Sequence, residues 1–174
     1  QVNNDWAYDK MMNKFKFGNA NVSGVYFDEE NRRHLNSIRL AYSQAAISLA
    51  ISGKKEEAKR LLNKCDTMMN QGNMPYGMAS RYQQQNQFSL QFLQAAYLAE
   101  DQKLIAKISA ALTKDMVEQQ LFYQNLSDIK RENMSEEEQR NEFLLDRLNK
   151  MKAQYAQPIV PNVENPGVIK NSGK

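Results

Sequence analysis

The sequence predicts an all-α fold of antiparallel helical hairpins, and three observations carry that prediction. Apolar residues recur at steps of three and four through most of the chain, the period of one face of an α-helix. Within "AISLAISGKKEEAKRLLNKC", residues 46 to 65, Gly53 divides an alanine-rich apolar run from a charged one. Glycine takes the left-handed conformation that ends helices without a Cβ penalty, so two helices joined there fold back on each other. Ala46 and Ala58 lie on the facing stripes, where small side chains let two backbones approach closely.

Residues 5 to 17 place Tyr8, Met11, Met12 and Phe15 at helical spacing, with Asp5 as N-cap and Gly18 as the stop. "GNANVSG" then supplies turn residues, and Asp28 can cap a long helix to about Ser52 that carries Leu35, Ile38, Tyr42, Ala45 and Leu49. After Gly53 a helix over about 55–70 aligns Ala58, Leu61, Leu62, Cys65, Met68 and Met69 in one stripe. Residues 71 to 87, "QGNMPYGMASRYQQQNQ", combine Gly72, Pro75 and Gly77 with a glutamine tract and read as a long loop. A second hairpin is expected over 88–126, its helices carrying Phe88, Phe92, Ala95, Ala96 and Ala99, then Leu104, Ile105, Ile108, Ala111 and Leu112. Ser135 and Glu138 have the spacing of a capping box at the start of a last helix, within 135–157, that aligns Leu144, Leu148, Met151 and Tyr155. Pro158 ends it, and residues 158–174, with three prolines beyond position 157 and no period, form an extended tail. The organisation is one domain over 1–157, with 1–27 as an N-terminal capping helix and loop.

Composition limits function more than it defines it. Apolar residues make up 41% and charged residues 25% of the chain, which suggests neither disorder nor a membrane-embedded chain. No apolar run approaches the roughly 18 residues a membrane helix needs. The start, Gln1, lacks both an initiating Met and a signal-peptide pattern, which reads as a piece of a longer protein. The balance of 23 basic against 20 acidic side chains is spread along the sequence, with no footprint for nucleic acid. The single cysteine, Cys65, excludes an internal disulfide and a zinc site built on paired cysteines.

Tetratricopeptide repeats follow W-x2-L-G-x2-Y and then A-x3-F. Tyr42, Ala45, Ala46 and Leu49 stand at the first four positions, and Ala58 and Leu62 at the next two. A second copy surrounds Ala106, 48 residues after Ala58, with Asp101 where Gly53 stood. The expected architecture is therefore a degenerate pair of TPR-like hairpins, an alpha-alpha superhelix closed by capping helices at both ends.

Candidate chemistry is sparse. His34, the sole histidine, lies beside Arg32 and Arg33 with no pattern indicating a base or nucleophile around it, and reads as a surface or hydrogen-bonding residue. Cys65 lies on an apolar stripe and reads as an inert buried thiol. Asp28, Glu29 and Glu30 resemble a carboxylate cluster, but acidic residues favour a first helical turn through the helix dipole. Asn21, Asn125 and Asn133 begin N-x-S triplets at a frequency near chance. No phosphate-binding loop, dinucleotide turn, zinc-protease pair or nucleophile elbow is present, so no enzyme chemistry and no cofactor are expected. Trp6, Tyr8, Phe15 and Phe17 interleave with Lys10, Lys14 and Lys16, a mixture that suits a membrane-surface helix or, more simply, a terminal helix covering the end of the array.

The string "YDKMMNKFKFGNANVSGVYFDEENRRH", residues 8 to 34, followed by "SGKKEEAKRLLNKC" and "NMPYG", resembles the C-terminal soluble region of a bacterial family of multi-pass membrane proteins of unknown function related to protein O-mannosyltransferases. The family's "MNKFKWG" segment, "Y-x-DE" turn and "PY" loop have counterparts here, with Phe17 in place of the usual Trp. The resemblance covers about residues 5 to 80. It implies a parent chain whose membrane portion transfers a sugar from a lipid-linked donor to protein, with this module on the periplasmic face of the bacterial inner membrane. It implies no catalytic residue here. Asn13, Lys14, Phe15, Lys16 and Gly18 match the motif and are expected to serve packing and docking. The reading is a non-catalytic interaction module, its partner the protein's own membrane domain or an acceptor protein, with Trp6, Tyr8, Lys14, Phe15, Phe17, Tyr76, Arg81 and Tyr82 as candidate docking residues. The alternative is a small-ligand or enzymatic domain with a pocket between the hairpins and the 71–87 loop, using Tyr76, Arg81 and Tyr82.

Overall fold

The structure, a computed structural model, describes residues 4–156. Every regular element among the described residues is helical: α1 (Asn4–Asn13), α2 (Glu29–Ile51), α3 (Lys55–Met68), α4 (Gln84–Leu98), α5 (Gln102–Gln124), α6 (Asp128–Asn133) and α7 (Ser135–Ala156). One turn of 3-10 helix, Arg81–Gln83, leads into α4. The all-α expectation is met, and the tail expected over 158–174 lies outside the described residues.

The start of α2 is set by Asp28, whose carboxylate accepts the backbone N–H of Asn31 at 2.8 Å and so satisfies a donor of the first turn. After Ile51, Gly53 adopts φ +81°, Gly53 N–H reaches Ala50 O at 3.0 Å, and Lys54 N–H reaches Leu49 O at 2.9 Å. These bonds satisfy carbonyls that a helix end leaves unpaired. The chain turns back into α3, whose Ala58, Leu61, Leu62 and Cys65 join Tyr42, Ala46 and Leu49 in one core. Next, α4 packs along α2 and, less extensively, α3; α5 packs on α4; and α7 covers α5 and part of α4.

The second hairpin repeats the first turn's hydrogen bonds one residue earlier than the sequence alignment suggests. Glu100 takes φ +60°, Glu100 N–H bonds Tyr97 O at 3.0 Å, and Asp101 N–H bonds Ala96 O at 3.0 Å. Glu100 therefore occupies the position of Gly53, and Asp101 caps α5 by accepting Leu104 N–H at 3.1 Å. In this register Ile105 is the counterpart of Ala58, and Ala106 is exposed. A glutamate in the left-handed region carries no signal in the sequence, whereas the neighbouring capping aspartate does, and the alignment followed the aspartate.

Three other elements differ from expectation. Helix α1 stops at Asn13 rather than near Phe17, because Lys14 N–H and Phe15 N–H share the Lys10 carbonyl while Phe17 turns into the core beside Tyr42, ring centroids 5.5 Å apart. Asp5 lies inside α1's first turn. Helix α4 begins within the glutamine tract expected as loop, because Gln83, Gln85 and Asn86 are buried and bonded to protein groups. The capping box at Ser135 does not form: Ser135 lies in α7's first turn, and the Glu138 carboxylate takes Arg131 of the short α6, Nη2 at 2.7 Å and Nε at 2.9 Å. That hydrogen-bonded guanidinium holds the Glu138 carboxyl below the usual carboxylate range.

Helix α1 lies on α2 and α3, where the Met11 carbonyl accepts both the Tyr42 hydroxyl at 2.6 Å and Lys64 Nζ at 2.9 Å. A left-handed conformation costs a non-glycine residue about 1 kcal/mol or more. Gly53→Ala is accordingly expected to lower the unfolding free energy by about 1 kcal/mol, whereas Glu100→Gly should raise the urea midpoint despite losing the exposed Lys55–Glu100 ion pair. A Glu100→Gly chain that melts at lower urea contradicts the shared turn geometry.

Candidate interaction groove

The site begins with polar side chains that the fold buries. Arg39, on α2, is 1% exposed. Its Nη2 donates to Met74 O at 2.7 Å and its Nη1 to Pro75 O at 3.3 Å, with Ser89 Oγ of α4 at 3.5 Å. Its guanidinium carbon lies 4.7 Å from the centre of the Tyr76 ring. Among the described residues Arg39 forms no ion pair, so carbonyl dipoles and the aromatic face balance its charge. The Tyr76 hydroxyl donates to Asp66 at 2.8 Å, and burial pushes it well above its ordinary range.

The same loop is gripped further along. Gln85 donates to Pro75 O and accepts from Asn36, while Asn86 accepts Met78 N–H at 3.1 Å and donates to Asp115 at 2.8 Å. A Cβ on Gly77 would stand 2.4 Å from the Ala111 carbonyl oxygen, so the backbone there lies directly against α5. The loop leaves this grip through Tyr82 and Gln83, both left-handed, at φ 55° and φ 56°. Gln83 is held there by Gln119 and Asn86, and the Tyr82 carbonyl by Gln87 Nε2 at 2.8 Å. The strained pair turns the Tyr82 ring outward, 58% exposed, with Arg81 at 5.0 Å and Arg140 of α7 at 5.1 Å from its centre.

Around Tyr82 three open clefts adjoin. The first, about 580 Å³, lies between the opening turns of α2, with Arg32, Arg33 and Asn36, and the facing segment Met78–Arg81. The second, about 590 Å³, shares Glu29, Arg33, Arg81 and Gln84 with it and adds Tyr82 and Gln87. The third, about 540 Å³, continues from Gln87 onto α7 at Arg140, Phe143 and Arg147. One groove thus crosses the N-terminal halves of α2 and α4 and the stretch from Glu136 to Arg147 of α7. Five arginines face three glutamates along it; Arg33 bonds Glu30 at 2.6 Å and Arg140 bonds Glu136 at 2.8 Å, whereas among the described residues Arg32 and Arg147 have no ion pair.

Of the residues singled out from sequence, Arg81 and Tyr82 meet in this groove. Tyr76 does not: its ring is 1% exposed and packs on Phe92 at 5.7 Å, so the pocket expected from Tyr76, Arg81 and Tyr82 together does not form. Phe17, 2% exposed, is likewise a core residue and has no face left for docking. Trp6 is exposed on α1, Tyr8 is half-buried with Arg60 6.0 Å from its ring centre, and Lys14 and Phe15 are exposed after α1, the Phe15 ring edge-on to Tyr42 at 5.9 Å. None of these lines the groove. Arg32, Arg33, Asn36, Arg140 and Arg147 were missed. The available signal was Asn36 and Arg39 at i, i+3, interrupting the apolar stripe of Leu35 and Tyr42, a place where polar side chains need partners.

His34, Cys65 and Asp28 lie outside the groove. His34 is exposed, with Nε2 3.2 Å from Glu30. Cys65 is 1% exposed and burial pushes its thiol up to about 12. Asp28 caps α2, and among the described residues no three or more metal-ligating side chains cluster. Comparison with known protein families, curated proteins and solved structures finds no match.

Gly77→Ala should destabilise the chain by about 2–3 kcal/mol, because the new methyl meets backbone rather than a movable side chain. Urea denaturation measures it, and a loss well under 1 kcal/mol contradicts the close packing of loop on α5.

Proposed function

We propose that this chain is a non-catalytic protein-interaction module with a tetratricopeptide-like arrangement of its hairpins, forming the periplasmic C-terminal part of a membrane glycosyltransferase-like protein. The observation that carries the interaction reading is the open groove across α2, α4 and α7, lined by arginines, amides and an exposed tyrosine. Stacked helical hairpins present the first helix of each unit on one such face and bind peptides there by shape and scattered polar contacts. The matching turns at Gly53 and Glu100 favour the repeat reading. The parent chain and its location rest on the resemblance of residues 5 to 80 to the soluble end of proteins related to protein O-mannosyltransferases. In that setting the module positions an acceptor protein, or docks on the membrane portion, while the chemistry happens elsewhere.

The test is sugar transfer from a lipid-linked donor to protein in membranes carrying the whole gene product or the product lacking residues 4–156. The reading expects several apolar spans upstream of Gln1, no transfer by this chain alone, and a fall of at least about tenfold on deletion. Unchanged transfer after deletion, or a gene product without such spans, contradicts it.

A further inference from the structure

Two buried polar atoms, on residues that line the groove, lack hydrogen-bond partners among the described residues. Arg32 Nε, a donor, and Asn36 Oδ1, an acceptor, are both shielded from solvent, and Asn36 as a whole is 5% exposed. They stand one helical turn apart on α2 and both residues line the first cleft. The orientation of Asn36 is fixed from behind: its Nδ2 donates to Gln85, whose own Nε2 is committed to the Pro75 carbonyl. The free oxygen therefore cannot exchange places with the amide nitrogen without breaking one of these two bonds. Buried polar groups are nearly always bonded, so an unsatisfied donor and acceptor one helical turn apart, on two residues that line an open cleft, point to a ligand supplying one acceptor and one donor.

An extended peptide supplies that pair, because one residue of a strand presents its C=O and N–H toward the same side. Charge specifies the rest. Glu30 and Glu136 are taken by Arg33 and Arg140; among the described residues this leaves Arg32 and Arg147 without a carboxylate and Arg81 with a side-chain bond to the Tyr82 hydroxyl and no ion pair. Glu29 and Glu30 flank Arg33 at the rim and repel a continuous phosphate backbone, whereas a peptide can place single carboxylates opposite single arginines.

We infer that the groove binds an extended acidic peptide, one residue of which bonds through its backbone to Arg32 and Asn36. The inference rests on the interaction reading above and names its ligand class and contact point. The full chain is titrated, by fluorescence anisotropy at about 0.1 M salt, with a fluorescein-labelled pool of decapeptides carrying Asp or Glu at alternate positions. A matched pool carrying Lys or Arg and a single-stranded oligonucleotide of equal length serve as comparisons. The acidic pool should bind at least about tenfold more tightly than either, and Arg32→Gln and Arg81→Gln should each weaken it about fivefold with an unchanged melting temperature. For one peptide recovered from the pool, N-methylation at a single backbone amide should weaken binding about tenfold while methylation of its neighbours does not. No preference for the acidic pool, tighter oligonucleotide binding, or insensitivity to every N-methyl group overturns the inference. Failure here with transfer still dependent on residues 4–156 overturns the groove inference alone. Peptide binding with transfer unaffected by deletion overturns the membrane-enzyme reading alone.

Discussion

The buried guanidinium of Arg39 is the constraint on which the rest of the structure depends. Arginine carries a fixed charge, and removing that charge from water is expensive unless it is hydrogen-bonded. The Met74 and Pro75 carbonyls, Ser89 and the Tyr76 face meet that need, and all but Ser89 belong to the loop between α3 and α4. The charge can be buried only if the loop comes to it. The loop's path is therefore fixed by electrostatics as much as by packing, and Met78–Arg81 is set opposite the first turns of α2.

From that anchor amides extend outward in two bonded groups, Asn36 with Gln85 at the Pro75 carbonyl, and Asn86, Gln83 and Gln119 around Asp115. Such a network specifies one arrangement, because any shift leaves several buried groups unpaired at once. It also holds Tyr82 and Gln83 in left-handed conformations that neither residue favours. Among the described residues, bonds are left unmade at Asn36 and at Arg32, which both line the open cleft. Scaffold and groove are in this sense one structure: the interior amides fix the geometry, and Asn36, at the cleft, keeps unused bonding capacity.

Much of the helical framework was legible because its causes are local. Period, the Asp28 cap and Gly53 place α2 and α3, and Leu144, Leu148 and Met151 mark the buried face of α7. What escaped depends on distant partners. A glutamine tract reads as loop unless one knows that Gln119 and Asp115 wait on another helix to receive it. Glu100 reads as an ordinary turn residue, since nothing in a glutamate announces a positive φ. Phe17 and Tyr76 look like surface aromatics by their polar neighbours, yet Tyr42 and Arg39 draw them inward. The groove was half legible, through Arg81 and Tyr82, because its other residues come from α2 and α7, far apart in sequence.

The most direct measurement of the central claim is amide hydrogen exchange in Arg39→Met, which keeps the volume and removes the fork of donors. The N–H groups of Tyr76 and Met78 are bonded to the side chains of Gln71 and Asn86, so they report whether the loop holds its path. The account predicts that both exchange faster by about tenfold or more while amides of the α2–α3 core keep their protection. Unchanged exchange at Tyr76 and Met78 in a folded Arg39→Met chain would show that the loop is held by something other than the buried charge.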